Sequence, residues 1–473
     1  MAPKQTHKLG SKLEVTFMTG IGTVTGANFL LTIHGPEKPF KLLIDCGMVQ
    51  GSQDAEAMNR IPFTYNPAEI DMLIVTHAHL DHVGRIAKLV KDGFKGVIYS
   101  TPATRDLAEL IMADAVNLLK HAADRDKIDP LYASKDVDDA LNLWKTCDYH
   151  TDLPITAGVT AYFKDAGHIL GSAIVEITAD ESVGGIDEGR KKIVFTGDLG
   201  NSPTPILRDT DKVTDADYLI MESVYGDRNH EPQEVRVKEL TRIINETHAR
   251  GGTLVIPAFS LERTQIILYE INNLLEEGKI PSMPVFLDSP LATKVTQVYR
   301  SYAHLFNYET QQRLKSDDIF DFPKLTITET ARDSQEIVRT HGAKIIIAGS
   351  GMSMGGRVRR HEAEYAPSAQ NTILLVGYQP VGTLGRLLQD KASTIDVDGK
   401  KVKVKARIEM IFGYSAHKDS DHLVEFVSHT QKRLRKVFVV MGEPSAATHL
   451  AQRLGDELKV KAICPEPDTP YAL

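Results

Sequence analysis

The sequence predicts an α/β protein of two domains, the second built on a mostly parallel sheet. Short apolar runs rich in β-branched residues recur along the chain, among them Ile70-Asp71-Met72-Leu73-Ile74-Val75 and Lys344-Ile345-Ile346-Ile347-Ala348, and read as buried strands. Stretches with apolar residues at helical spacing separate them, the alternation that a parallel sheet requires. At 473 residues the chain is also too long for one compact core.

Taken in order, Leu13-Glu14-Val15-Thr16-Phe17 is the first strand. The glycine-rich Thr19-Gly20-Ile21-Gly22-Thr23-Val24-Thr25-Gly26 predicts a tight turn, because no Lys-Ser/Thr completes a phosphate loop and a strand follows. Residues 29–33 and 41–45 form a hairpin around Gly35-Pro36, which leaves Asp45 at a strand end. After the strand that closes at Val75 comes Thr76-His77-Ala78-His79-Leu80-Asp81-His82, and Val83, Ile86, Leu89 and Val90 then recur at helical spacing. Three imidazoles and a carboxylate thus sit on a turn between strand and helix, where a rigid scaffold presents reactive groups. Imidazole nitrogen with carboxylate oxygen suits zinc and similar ions. The turn can aim His77 and His79 at one ion and Asp81 and His82 at a neighbour.

Residues 103–150 are expected to be helical. One stripe runs through Leu107, Leu110, Ile111, Ala115, Leu118 and Leu119, another through Val137, Ala140, Leu141 and Trp144. Two further ligand candidates follow: His168 in the turn Gly167-His168-Ile169-Leu170-Gly171-Ser172, and Asp198 closing the strand that begins at Lys192. Alone, each is an ordinary turn residue; together, after the histidine cluster, they supply the third imidazole and bridging carboxylate that two metal ions need. In the second half, residues 218–221, 253–256, 284–287, 344–348 and 372–376 read as strands, with helical stretches such as 261–277 between them. Parallel sheets bind ligands near strand C-termini, where Glu222, Pro257, Asp288, Gly349 and Gly377 fall. The second domain is therefore expected to face the metal turn across a cleft. Gly349-Ser350-Gly351 is expected to offer backbone N–H groups to a phosphate at a helix start. Among Arg263, Arg357, Arg359, Arg360 and Arg386, the last is the foremost substrate contact.

Asp45, His77-Ala78-His79-Leu80-Asp81-His82, His168 and Asp198 resemble the successive motifs of the metallo-β-lactamase fold. Downstream, the resemblance narrows to its β-CASP branch, the nucleases of RNA processing and DNA repair. Glu222-Ser223-Val224-Tyr225-Gly226-Asp227-Arg228 is similar to that branch's first extra motif and Phe412-Gly413-Tyr414-Ser415-Ala416-His417 to its second. Pro257-Ala258-Phe259-Ser260-Leu261-Glu262-Arg263-Thr264-Gln265, Asp288-Ser289-Pro290-Leu291-Ala292, Gly349-Ser350-Gly351-Met352 and the run from Gly377 to Arg386 resemble its inserted domain. The similarity extends from about Leu13 to the C-terminus and is nearest to bacterial and archaeal relatives of the cleavage-and-polyadenylation endonuclease.

The resemblance implies an αββα sandwich in residues 1–207 and 406–473, with a β-CASP domain of mostly parallel sheet inserted at 208–405. It implies two zinc ions per chain, or manganese in their place. His77, His79 and His168 would hold one, Asp81 and His82 the second, and Asp198 would bridge them around a hydroxide that attacks phosphorus. Asp45 would orient a ligand from behind. His417 would contact the scissile phosphate and protonate the leaving oxygen, with Glu222 polarising it. One position departs from the pattern: Met441 stands where a His before Gly-Glu is expected, and a thioether is a weak partner for zinc. The implied activity is metal-dependent cleavage of RNA. A DNA nuclease or small-ester hydrolase, and then a non-catalytic nucleic-acid-binding subunit, are the alternatives.

Composition narrows the setting. No apolar run approaches a membrane span, and Met1–Lys8 lacks the apolar core of a signal peptide. Cys46, Cys147 and Cys464 are few and widely spaced, which fits a reducing cytoplasm rather than a disulfide framework. The net charge of −8 makes the whole surface no trap for a polyanion. RNA or another nucleic acid therefore needs a local site. No membrane partner is expected, and a homodimer is, since related proteins often form one.

Overall fold

The computed structural model describes residues 13–35, 38–51, 54–180, 190–377, 379 and 382–473. Two seven-stranded sheets pack face to face. The first runs, in spatial order, Pro470–Ala472, Leu13–Thr19, Asn28–Ile33, Phe40–Ile44, Met72–Ile74, Val97–Ser100 and Trp144–Thr146. The second runs Ala462–Ile463, Lys436–Val439, Tyr218–Met221, Arg190–Phe195, Ala173–Asp180, Val159–Asp165 and Asp152–Thr156. Phe17, Phe29, Phe163, Phe195 and Phe438 fill the space between them. The outer face of the first sheet is covered by helices Ile86–Lys91, Pro102–Asp126 and Ser134–Asn142, that of the second by Ser420–Ser428 and Pro444–Leu458. This is the expected αββα sandwich.

A third sheet has six strands, Leu325–Ile327, Val285–Asp288, Lys344–Ala348, Thr253–Pro257, Thr372–Leu375 and Arg407–Met410, all parallel. Both of its faces are covered by helices, which is why its four inner strands are buried along their whole length rather than alternating, while the edge strands Leu325–Ile327 and Arg407–Met410 stay partly exposed. Among the described residues no helix is long and apolar enough to cross a membrane.

The structure corrects three placements. Tyr218–Met221, assigned above to the inserted half, pairs in parallel with Arg190–Phe195 and Lys436–Val439, so the chain leaves the sandwich only after Met221 rather than at 208. Arg407–Met410 still pairs with Thr372–Leu375, so the return comes after Met410 rather than at 406. Trp144 does not continue a helix; it opens the edge strand beside Ile98, and its indole N–H donates to Ser100 Oγ at 2.9 Å. The expected hairpin of 29–45 forms between Asn28–Ile33 and Phe40–Ile44, but Pro36, like Met1–Lys8, Tyr378, Pro380 and Val381, lies outside the described residues.

Candidate metal centre and cleft

The histidine turn is clamped from the neighbouring strand end. Asp45 adopts φ 59°, a conformation rare for a residue with a side chain, and its carboxylate is over-determined by three donors. Oδ1 accepts from Thr76 N–H at 2.7 Å; Oδ2 accepts from Thr76 Oγ1 at 2.8 Å and from His82 Nδ1 at 2.7 Å. The next residues pin the backbone of the turn itself. Ala27 N–H donates to Asp81 O at 2.9 Å and Cys46 N–H to His82 O at 2.8 Å. A Cβ at Gly47 would fall 1.5 Å from Asp81 O, so only glycine admits this approach.

The turn meets His168 and Asp198 in one buried cluster. Donor atoms of His77, His79, His168 and Asp198 all lie within 4.8 Å of one another. His79 Nδ1 is 3.1 Å from His77 Nε2 and 3.2 Å from His168 Nε2, while Asp198 Oδ2 is 3.4 Å from His77 Nε2 and 3.5 Å from His168 Nε2. A tetrahedral zinc with bonds of about 2.0–2.1 Å has ligand–ligand edges of about 3.3–3.4 Å, so these separations fit one ion. The other oxygen of Asp198 faces elsewhere: Oδ1 lies 3.4 Å from His82 Nε2, which is 3.8 Å from Asp81 Oδ2. His82 Nε2 and Asp198 Oδ1 are both buried, and among the described residues neither has a hydrogen-bond partner. A buried carboxylate oxygen and a buried ring nitrogen without partners, beside a second carboxylate, call for positive charge at this point.

The electrostatics agree. Burial holds the His77 imidazole below its ordinary range, and those of His79 and His168 well below it, which keeps them neutral with lone pairs free. His82 differs: burial opposes a charge on it, but the Asp198 and Asp45 carboxylates outweigh burial and hold that ring well above the ordinary range, so this side of the cluster draws positive charge, either a proton on the ring or an ion that displaces it.

His417 closes the mouth of the cluster. Its Nδ1 lies 3.1 Å from Glu222 Oε2 and 3.2 Å from Oε1, and 3.9 Å from Asp198 Oδ2. Glu222 Oε1 also accepts from Leu199 N–H at 2.6 Å, so the carboxylate is fixed by the Asp198 loop. Lys418 N–H donates to Leu199 O and Asn201 N–H to Ala416 O, both at 2.8 Å, which zips the two loops together. The His417 side chain keeps 23% exposure and that of Asp81 15%, against 0–3% for His77, His168 and Asp198, so His417, with Asp81 and the half-buried His79, forms the open side of the cluster. Burial disfavours its charge, but Glu222 beside it pushes the imidazole up to about 9.

Other expectations need correction. Met441 is a buried core residue at φ 48°, its Sδ only 2.8 Å from where a Cβ on Gly20 would lie. Ser350 and Gly351 are not at a helix start: the next helix is Val358–Tyr365, and Ser350 N–H already donates to Gly355 O at 3.2 Å. Arg386 sits in the last turn of Leu384–Gln389, where its Nε meets both oxygens of Asp390 at 3.0 Å. Sequence reasoning gave no role to Thr76, which ties Asp45 to the turn, nor to His230, whose Nε2 lies 3.0 Å from His417 O. Single residues of these types carry no sequence signal; only the contact reveals them.

Fold and centre together define a metallo-hydrolase of the sandwich type with an inserted α/β domain. Residues 40–241 match the family described as the metallo-β-lactamase superfamily, 264–388 match the Beta-Casp domain, and 401–465 match the Zn-dependent metallo-hydrolase RNA specificity domain. Ribonuclease TTHA0252 of Thermus thermophilus is 34% identical over 91% of this chain and 93% of its own length. A transcription termination factor FttA of Methanosarcina mazei is 32% identical over 95% of this chain and 70% of its own. An RNase J-like protein of Methanocaldococcus jannaschii is 31% identical over 90% and 92%. The chain belongs to the β-CASP branch of the metallo-β-lactamase superfamily. A crystal structure of a protein of unknown function from Enterococcus faecalis superposes with TM-score 0.55 over 98% of this chain and 100% of its own at 12% identity, which speaks for the fold alone.

Proposed function

We propose that this protein is a two-metal ribonuclease of the cytoplasm that hydrolyses phosphodiester bonds of RNA, with zinc, or manganese in its place, as the resident ion. The observation that carries the reading is Asp198, whose two carboxylate oxygens face different histidines, Oδ2 toward His77 and His168 and Oδ1 toward His82. His77, His79, His168 and Asp198 would hold one ion, and Asp81, His82 and Asp198 the other. Bound there, paired ions would activate a water and offset charge on the phosphoryl oxygens.

The chain's own groups supply the rest. Asp45 accepts a hydrogen bond from His82 Nδ1 and so directs Nε2 toward Asp198, where an ion would displace any proton on it. Glu222 holds His417 by Nδ1 at the cleft, where the ring can hand a proton to the departing oxygen. The relatives' names, a ribonuclease and an RNase J-like protein among them, favour RNA as the polymer. Incubation of metal-loaded protein with labelled single-stranded RNA tests the reading. Absence of chelator-sensitive cleavage, or equal cleavage by Asp81→Ala combined with His82→Ala, would refute it.

A second reading keeps the centre and changes the polymer to DNA or a small diester. It is favoured by Met441, which leaves the His82 side without a further nitrogen ligand from that position. Parallel assays on RNA, DNA and methyl p-nitrophenyl phosphate separate the two, since higher kcat/KM on DNA would support this one.

A further inference from the structure

Two exposed aromatic rings stand on the strand ends of the third sheet, and the metal chemistry uses neither. Phe259 follows the strand Thr253–Pro257 and remains 37% exposed. Backbone, not side chain, supports it: a Cβ at Gly351 would lie 2.8 Å from its Cδ2 and 3.0 Å from its Cε2, and one at Gly377 would lie 4.0 Å from Cε2. Those glycines end the strands on either side, Lys344–Ala348 and Thr372–Leu375. The ring is thus seated on backbone and open to solvent. Phe412, 44% exposed, follows Arg407–Met410, two strands along the same edge, or about 10 Å at the usual strand spacing. Phe412 also begins the segment that carries His417, with Ser415 N–H donating to its carbonyl at 3.3 Å. The two residues therefore stand on one edge of the sheet, at the strand ends from which the His417 segment departs.

Most arginines near those strand ends are already paired, and Arg263, whose Nε and Nη1 have no partner among the described residues, is itself buried. Arg357 is paired with Asp288, Arg359 with Asp398, Arg386 with Asp390, and Arg236 with Glu270. Aromatic faces bind single-stranded nucleic acid without needing a free cation, because every base offers a π-face. We propose that Phe259 and Phe412 are a stacking track for unpaired bases of the RNA strand beside the scissile phosphate, an inference that rests on the ribonuclease reading. Bases of a duplex are stacked on one another and cannot use it, so the track selects single strands.

Steady-state cleavage of labelled single-stranded RNA by the metal-loaded protein tests the track. Phe259→Ala and Phe412→Ala should each raise KM roughly 5- to 150-fold while kcat changes little. Phe259→Trp should restore the KM and Phe259→Leu, apolar but without a π-face, should not. Wild-type KM in both alanine variants, with RNA still cleaved, overturns the track alone. Equal losses on RNA and on methyl p-nitrophenyl phosphate, which carries no neighbouring base, overturn it too, because they report a damaged centre. Wild-type protein that fails to cleave RNA removes the ribonuclease reading and the track together.

Discussion

Asp45→Asn separates orienting a ligand from being one. The amide oxygen can still accept from Thr76 N–H, now made by Oδ1 at 2.7 Å. The amide nitrogen then replaces Oδ2, the acceptor shared by Thr76 Oγ1 at 2.8 Å and His82 Nδ1 at 2.7 Å. Two donors would face a third. The strain is relieved if the His82 proton moves to Nε2, which turns Nδ1 into an acceptor for the amide. That tautomer spends the Nε2 lone pair that faces Asp198 Oδ1 across 3.4 Å. Loss of such an outer partner weakens metal binding roughly 10- to 100-fold, about 1.4–2.7 kcal/mol. The loss should be confined to the His82 side, because His77, His79 and His168 keep their contacts. The measurement is metal content by mass spectrometry during titration into metal-free protein, with circular dichroism to show that the fold is intact. A folded Asp45→Asn protein that binds the weaker ion as tightly as wild type would refute the argument.

Glu222→Gln should lower kcat on RNA about 10²- to 10⁴-fold, the range for a removed general acid, while metal content stays at the wild-type level; stopped-assay kinetics with metal analysis check both halves. In the inserted domain, burial raises the Glu362 carboxyl from 4.5 to about 7, and among the described residues only Ser353 Oγ donates to it. Its folded value lies above its unfolded one, so the folded state holds the proton longer. Stability is then highest below about pH 4.5 and falls as pH rises toward 7, by about 3 kcal/mol in all. Glu362→Gln should flatten that part of a urea-denaturation pH profile, and a slope equal to wild type would show that another group sets it.

How much of this was legible in the sequence depends on how local each feature is. The candidate ligands were readable because His77 to His82 lie on one turn and His168 and Asp198 each end or precede an apolar strand downstream, an order that the family resemblance turned into a ligand set. The sheet membership of Tyr218–Met221 was not, because a fully buried four-residue run looks the same in either sheet and only its pairing with Ile193–Phe195 and Lys436–Val439 decides. Arg386 illustrates a signal that was present and outweighed: Asp390 lies four residues on, and an i,i+4 pair on a helix was available to the charge from the start. Phe259 was quoted within a motif, yet exposure is a tertiary property that no spacing encodes.

Met441 is where sequence and structure have to be read together. The family resemblance sets a histidine at this position, and the structure shows what Met441 packs against instead. Met441 lines a cavity of about 10 Å³ together with Asp45, Thr76, His82, Thr196 and Glu222 on one side and Phe29, Ile44 and Ile220 on the other. The polar wall belongs to the His82 side of the centre, and the thioether offers it only a soft, neutral sulfur. Met441→His puts an imidazole into the cavity that His82 lines, and His82 Nε2, like Asp198 Oδ1, is buried without a hydrogen-bond partner among the described residues. If the ring reaches the cation position, affinity for the weaker ion rises by at least tenfold and RNA cleavage saturates at lower metal concentration. If it does not, a buried polar group is left unpaired and the variant loses about 1–3 kcal/mol of stability with no gain in metal binding. Calorimetric metal titration with thermal melts of the metal-free protein distinguishes the outcomes. Unchanged affinity with lowered stability would show that the cavity, rather than the missing nitrogen, limits the second position.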